Sequence, residues 1–254
     1  MIKKKWLPLF FGAVLGISLA WPGLAAAQEK VLQIYGPGGP LGPMQECGGM
    51  FSKAHGVEVR VTAGPTPKWI EPARQNADLI FGGAEYMLTE FMLKNLDLVD
   101  PRTRTSLYVR PAGILVRPGN PKKIKSLKDL TKDGVRIVDV NGAGQLGLWE
   151  DLAGVHGLIP AIQQNILLSV ATSAEAIDKW KTMPELDAWI TYESWHYRLK
   201  EVTDLVRLPR AQRLYRGTPI AMTTISKQRD LAQQFIDFLK TPAAHAVFQK
   251  WGWL

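Results

Sequence analysis

Three short stretches of the chain bring together residue types that can hold an anion. Val61-Thr-Ala-Gly-Pro-Thr-Pro-Lys-Trp69 offers hydroxyls at Thr62 and Thr66, close backbone approach at Gly64 and a positive charge at Lys68. Gly36-Pro-Gly-Gly-Pro40 and Asn141-Gly-Ala-Gly-Gln145 are glycine-rich turns, each following a short apolar run. Such turns aim backbone N–H groups at one point, and the start of a following helix adds a favourable dipole. A hydrogen bond to a charged oxygen contributes roughly 1.5–3 kcal/mol, so several neutral donors suffice for a dianion without a buried cation. Gly82-Gly-Ala-Glu85 ends another apolar run and adds amides to the set. The expected contacts are Gly38, Gly39 and Pro40; Thr62, Gly64, Thr66 and Lys68; Gly83 and Ala84; Gly144, Gln145 and Leu146; and Tyr192, at a strand end within the aromatic-rich segment Trp189-Ile-Thr-Tyr-Glu-Ser-Trp195. The plainer alternatives are ordinary strand-to-helix turns, a rigid surface loop with a solvated Lys68, and a packing role for Tyr192. Glu85 sits awkwardly beside an anion; it either caps a helix, pairs with Lys68 or accepts a ligand proton.

Chemistry of other kinds finds little support. The second glycine turn lacks both the Gly-x-Gly-x-x-Gly spacing of a dinucleotide site and the Gly-Lys-Ser/Thr of a phosphate loop. His55, His156, His196 and His245 are widely spaced, with no metal-ligand pattern. No Gly-x-Ser-x-Gly elbow or Cys–His pairing is visible, and carboxylates are scattered. Neither enzyme, metal nor cofactor is expected. Arg207, Arg210, Arg213 and Arg216 have roughly helical spacing and read as a solvated face. Cys47 is the single cysteine, so no intrachain disulfide exists; its place on the inner face of a helix reads as an inert buried thiol.

These turns need strands to launch them and helices to follow. Strands are expected at 31–35, 57–61, 78–81, 113–117, 135–140, 186–190 and 219–223. Helices are expected at 41–54, 68–75, 86–95, 144–155, 174–183 and 227–239, with a further helix after Thr241-Pro242 ending near Trp251. The alternation predicts an α/β architecture with a mostly parallel sheet, whose ligand sites lie outside the carboxyl ends of the strands. Breaker clusters at Arg117-Pro-Gly-Asn-Pro121 and from Leu208 to Pro219 predict two lobes: 28–117 with 213–254, and 118–212, joined by two crossings that form a hinge. Gly39-Pro-Leu-Gly42 and Gly144-Gln-Leu-Gly147 echo one another at equivalent places.

Lys3, Lys4 and Lys5, the apolar run after them and Ala25-Ala26-Ala27 read as a signal peptide over 1–27, cleaved near Ala27–Gln28. The chain is then exported, and the periplasm is the expected compartment. The formal charge of +8 includes the three leader lysines. The remaining mild positive bias has no basic block that would favour nucleic acid, although it would speed the arrival of anions.

Taken together, Tyr35-Gly-Pro-Gly-Gly-Pro-Leu41, Thr62-Ala-Gly-Pro-Thr-Pro-Lys-Trp69, Arg117-Pro-Gly-Asn-Pro-Lys-Lys123, Gly142-Ala-Gly-Gln145 with Gly147-Leu-Trp-Glu-Asp151, and Trp251-Gly-Trp253 resemble the accessory colonization factor C group. That group is similar to the molybdate- and sulfate-binding proteins. The resemblance implies a type II periplasmic binding protein fold: two lobes with mixed, mostly parallel sheets and a hinge of crossover strands. It also implies capture of a sulfate-like oxyanion or a phosphorylated or carboxylate metabolite, for delivery to the membrane permease of an ABC importer, by a monomer or dimer. An adhesin or surface antigen reusing the fold is the alternative role.

Overall fold

The computed structural model describes Met1 and residues 31–254; the expected signal peptide and its cleavage point lie outside the described residues. The chain runs β1 (Val31–Gly36), α1 (Leu41–His55), β2 (Glu58–Ala63), α2 (Ile70–Asn76), β3 (Leu79–Phe81), α3 (Glu85–Lys94), β4 (Thr105–Val116), β5 (Ile137–Val140), α4 (Leu148–Gly154), α5 (Ile159–Asn165) and β6 (Ile166–Val170). It continues through α6 (Ser173–Thr182), β7 (Ala188–Tyr192), α7 (Ser194–Arg198), β8 (Asp204–Arg207), β9 (Tyr215–Met222), α8 (Arg229–Leu239) and α9 (Pro242–Lys250). Helix boundaries follow local chemistry. Gly56 ends α1 in the left-handed region at φ 63°. Thr172 caps α6 by accepting from the Glu175 amide, while Glu175 reaches back to the Ala171 amide. Pro242 opens α9 behind the Thr241 cap. In α8, Ala232, Phe235, Ile236 and Leu239 fall on one buried stripe.

The sheet order is β2-β1-β3-β9-β4-β7-β5-β6, with β8 also on β4. Parallel pairing joins β1 to β2 and β3, and β5 to β6 and β7. The strands in the middle, β9 and β4, pair antiparallel with their neighbours, so the sheet is mixed and not mostly parallel. β4 changes partners along its length. From Thr105 to Pro111 it pairs with β9, and from Ala112 to Val116 with β7. Apolar packing divides at the same point. One cluster of buried side chains is drawn from 112–208, among them Trp180 and Trp189. The other two draw on 32–99 and 220–253.

The sequence expectation for this strand, 113–117, covered only its last third. Arg110 and Pro111 precede that stretch and give no strand signal of their own, since proline offers no ladder donor. The structure places Pro111 where β4 leaves one partner for the next. Its carbonyl there accepts from the Glu193 amide. Four short elements also went unread: α5, β6, α7 and β8. The helix expected from 144 begins at Leu148, because Gly147 at φ 69° precedes its first turn. The arginine run is no helical face: Arg207 is on β8, Arg210 is in a 3-10 turn and Arg216 is on β9.

Cys47 is fully buried, and desolvation pushes its thiol up to about 12. A thiolate is the reactive form. A thiol-specific reagent is therefore expected to leave the native protein unlabelled and to label it only after denaturant is added; prompt native labelling would contradict this packing.

Candidate functional site

Strand β4 carries Arg110 into the interior, where the residue is only 2% exposed. Its guanidinium donates from Nη2 to the Gly83 carbonyl at 2.5 Å, while Nε has no partner. No carboxylate lies within ion-pairing distance of it among the described residues. Arg117, seven residues later and just past the end of β4, shows how a structural arginine is satisfied: it donates to the carbonyls of Leu186, Trp180 and Met183 at 2.6, 2.8 and 2.6 Å. Burying a charge without a counter-ion costs several kcal/mol, and that cost pulls the Arg110 pKa down, chiefly through desolvation.

The surroundings of Arg110 are the glycine turns. A Cβ built on Gly39 would come within 2.8 Å of Arg110 Nη1, and one on Gly83 or on Gly144 within 3.4 Å of Nη2. The turns also touch each other. A Cβ on Gly83 would meet Pro37 Cγ at 3.2 Å, and one on Gly144 would lie 3.8 Å from the Gly83 carbonyl oxygen. Turns 36–40, 82–84 and 141–146 thus converge on one guanidinium. Gly144, at φ 88°, needs glycine's freedom for its backbone as well as for this approach. Helix α1 starts behind the first turn with no acidic residue in its own first turn, which leaves its positive end unopposed.

The remaining expected residues fall into place around this centre in different ways. Pro40 is buried at the cap of α1, and Gly38 faces open space. Ala84 is buried at the cap of α3. Tyr192 is fully buried under Arg110, with the guanidinium carbon 3.9 Å from its ring centre. Its hydroxyl donates to the Gly144 carbonyl, so the tyrosine serves as a cation–π shelf and a tie to the turn. Gln145 is 2% exposed; its main-chain N–H goes to Gly142 O and its Nε2 to Ser173 Oγ, while Oε1 is unpartnered. Leu146 is exposed. Gly64 donates to the Gly36 carbonyl at 3.0 Å, which lays the 64–68 loop beside the first turn. The side chains of Thr62, Thr66 and Lys68 are exposed, and no contact joins them to Arg110. Glu85 pairs with Arg104 at 2.6 Å and accepts from Ser106, not from Lys68.

Two members of the cluster were missed. Arg110 puts a buried cation among turns for which the sequence had suggested neutral donors alone. Its signal was a lone arginine, followed by proline, directly before the apolar run 112–116. Tyr86 follows the Gly82–Glu85 turn; its hydroxyl is buried without a partner, and burial pushes it up to about 12. It therefore keeps its proton and remains a donor. Among the described residues, no group of His, Cys, Asp and Glu could hold a metal, and no helix is long and apolar enough to cross a membrane.

The chain belongs to the bacterial extracellular solute-binding proteins, whose family model matches residues 32–254. It resembles the crystal structure of PEB3 bound to L-phospholactate at a TM-score of 0.81 and 31% identity, covering 87% of this chain and 98% of that one. Peb3 from Campylobacter jejuni matches at 0.79 and 32% over the same shares, 87% and 98%. The sulfate-binding protein of Synechococcus elongatus (strain ATCC 33912 / PCC 7942 / FACHB-805) is 28% identical over 158 residues, 55% of this chain and 45% of that protein. The chain spans about half the length of the curated relatives it matches. The fold is that of the type II periplasmic binding proteins, and the chain is a periplasmic solute binder, not an enzyme.

Proposed function

We propose that the chain captures a small anion against Arg110, within the ring of turns at 36–40, 82–84 and 141–146, and delivers it to the membrane permease of an ABC importer. The observation that carries this reading is a guanidinium that is buried, lacks a carboxylate and is surrounded by glycine backbone. The candidate ligands are a sulfate-like oxyanion or a phosphorylated or carboxylate metabolite. L-Phospholactate in the PEB3 structure and sulfate in the name of the Synechococcus relative support that range. Within the family, we read the chain as a relative of the accessory colonization factor C group, on the motif resemblance alone.

Two lobes would close on the ligand. The change of partners inside β4 favours a first crossing at Arg110–Ala112, earlier than Pro118, with the return just before β9. Arg110 would then stand on the hinge strand itself, and closure would shift the open–closed population as the anion arrives. Thr62, Gly64, Thr66 and Lys68 form the rim in this reading. Lys68→Ala is expected to slow association about 2–5-fold at low salt and to be indistinguishable from wild type at high salt, by stopped-flow measurement. An effect independent of salt would give Lys68 a direct contact instead.

Native mass spectrometry of gently purified protein tests the function, because a co-purified ligand reports its own mass. An anion in the small-metabolite range is the expected result. A ligand-free protein whose melting temperature responds to no member of a broad anion panel would overturn the proposal.

A further inference from the structure

Arg110 and Arg216 are direct register partners across β4 and β9. Opposed residues of an antiparallel pair project to the same face, and like charges there repel. Two guanidiniums therefore share one region, yet among the described residues only one carboxylate pairs with them. Asp151, on the first turn of α4, accepts from Arg216 Nη2 at 3.1 Å. The other hydrogen bond of Arg216 is a weak one to its neighbour's carbonyl, Tyr215 O, at 3.3 Å. The Asp151 side chain is 55% exposed, against 24% for that of Arg216. So the pair is half solvated, whereas Arg110 beside it is sealed.

An ion pair with one partner in water contributes little net stability, since each ion gives up hydration to form it. It is therefore easily exchanged. We infer that Asp151 is an internal counter-ion that a ligand's second anionic group displaces from Arg216, so that the Asp151–Arg216 pair selects small molecules with two anionic groups over single oxyanions. This rests on the anion site proposed above. A ligand seated on Arg110 by one group brings its second group toward the adjacent strand, where Arg216 stands. A single oxyanion has nothing with which to displace Asp151, and a neutral tail would leave Arg216 as it is. Asp151 follows directly on the 141–147 turn, with its amide on Gly147 O at 2.9 Å, so its release is local to the site.

Isothermal titration of the full chain with inorganic phosphate, sulfate, L-phospholactate and citrate tests this. Arg216→Gln is expected to weaken L-phospholactate or citrate, whichever wild type binds, at least 10-fold, while phosphate and sulfate change less than about 3-fold. Asp151→Asn is expected to tighten the same two-headed ligand about 3–10-fold, because its competitor for Arg216 is gone. The inference is overturned if wild type binds only the single oxyanions, if either variant shifts all probes alike, as a merely structural clasp would, or if neither variant changes any. Arg110→Gln keeps the two claims apart. Should it lose every probe while Arg216→Gln fails to discriminate, the anion site stands and the selector falls. Should wild type bind none of the four, the selector falls, and the anion site falls with it if the ligand-free protein also responds to no member of a broad anion panel.

Discussion

Arg110→Met raises the melting temperature of the ligand-free protein and abolishes its response to anions. Both halves of this expected result follow from one fact: the guanidinium is buried, and its recorded hydrogen bond is to the Gly83 carbonyl. Replacing a buried ion pair by apolar residues of similar volume is often stabilising by about 1–4 kcal/mol, and among the described residues Arg110 has no carboxylate whose attraction would be lost. The Gly83 carbonyl, left without its donor, returns about 1–3 kcal/mol of that, while the methionine sulfur takes over the ring contact that the guanidinium makes with Tyr192. A net gain of about 1 kcal/mol corresponds to roughly 2–4 °C for a chain of this size. Binding suffers in the opposite sense. Two charge-assisted bonds at roughly 1.5–3 kcal/mol each correspond to at least a 100-fold loss of affinity. Differential scanning fluorimetry with and without anion reads both. A structural arginine such as Arg117, held by three carbonyls, would instead lower the melting temperature on removal.

Gly39→Ala and Gly38→Ala form the second expected contrast. The two glycines are neighbours in one turn, and sequence reasoning treats them alike. A methyl on Gly39 would lie 2.8 Å from Arg110 Nη1, whereas one on Gly38 meets nothing within 4 Å. Neither residue has a positive φ, so the backbone tolerates alanine at both. Gly39→Ala therefore fills the space beside the guanidinium, and overpacking of this kind costs about 1–3 kcal/mol. The anion affinity of Gly39→Ala is expected to fall roughly 5–150-fold by titration calorimetry, with Gly38→Ala within about 2-fold of wild type. Equal losses for both would mean that the turn binds through its backbone at large and not through the approach to Arg110.

The α/β class and the glycine turns were legible because both are local signals. Period-two apolar runs such as 31–35 mark strands, and Gly38–Gly39 or Gly142–Gly144 mark turns regardless of what lies across from them. What brings the turns together is not local. Arg110 matters because β9 lies against its strand, Tyr192 arrives from β7 beneath it, and Gly83 and Gly144 close over it from elements 27 and 34 positions away in sequence. None of those relations has a periodicity. Arg110 itself drew no expectation: a charge next to a proline carries no strand signal, and here it marks where one strand exchanges partners. Short edge elements were hidden differently. β6 and β8 have few residues and weak alternation, and tertiary pairing, not propensity, makes them strands. The Arg207–Arg216 spacing matched a helix by accident, since β8, a 3-10 turn and β9 divide those residues among them.

The most direct test is a crystal structure of the protein with the anion that native mass spectrometry identifies. An anionic oxygen is expected within about 2.7–3.2 Å of Arg110 Nε or Nη1, enclosed by turns 36–40, 82–84 and 141–146. An anion bound elsewhere on the molecule, with Arg110 still sealed among the glycines and touching none of it, would contradict the central claim.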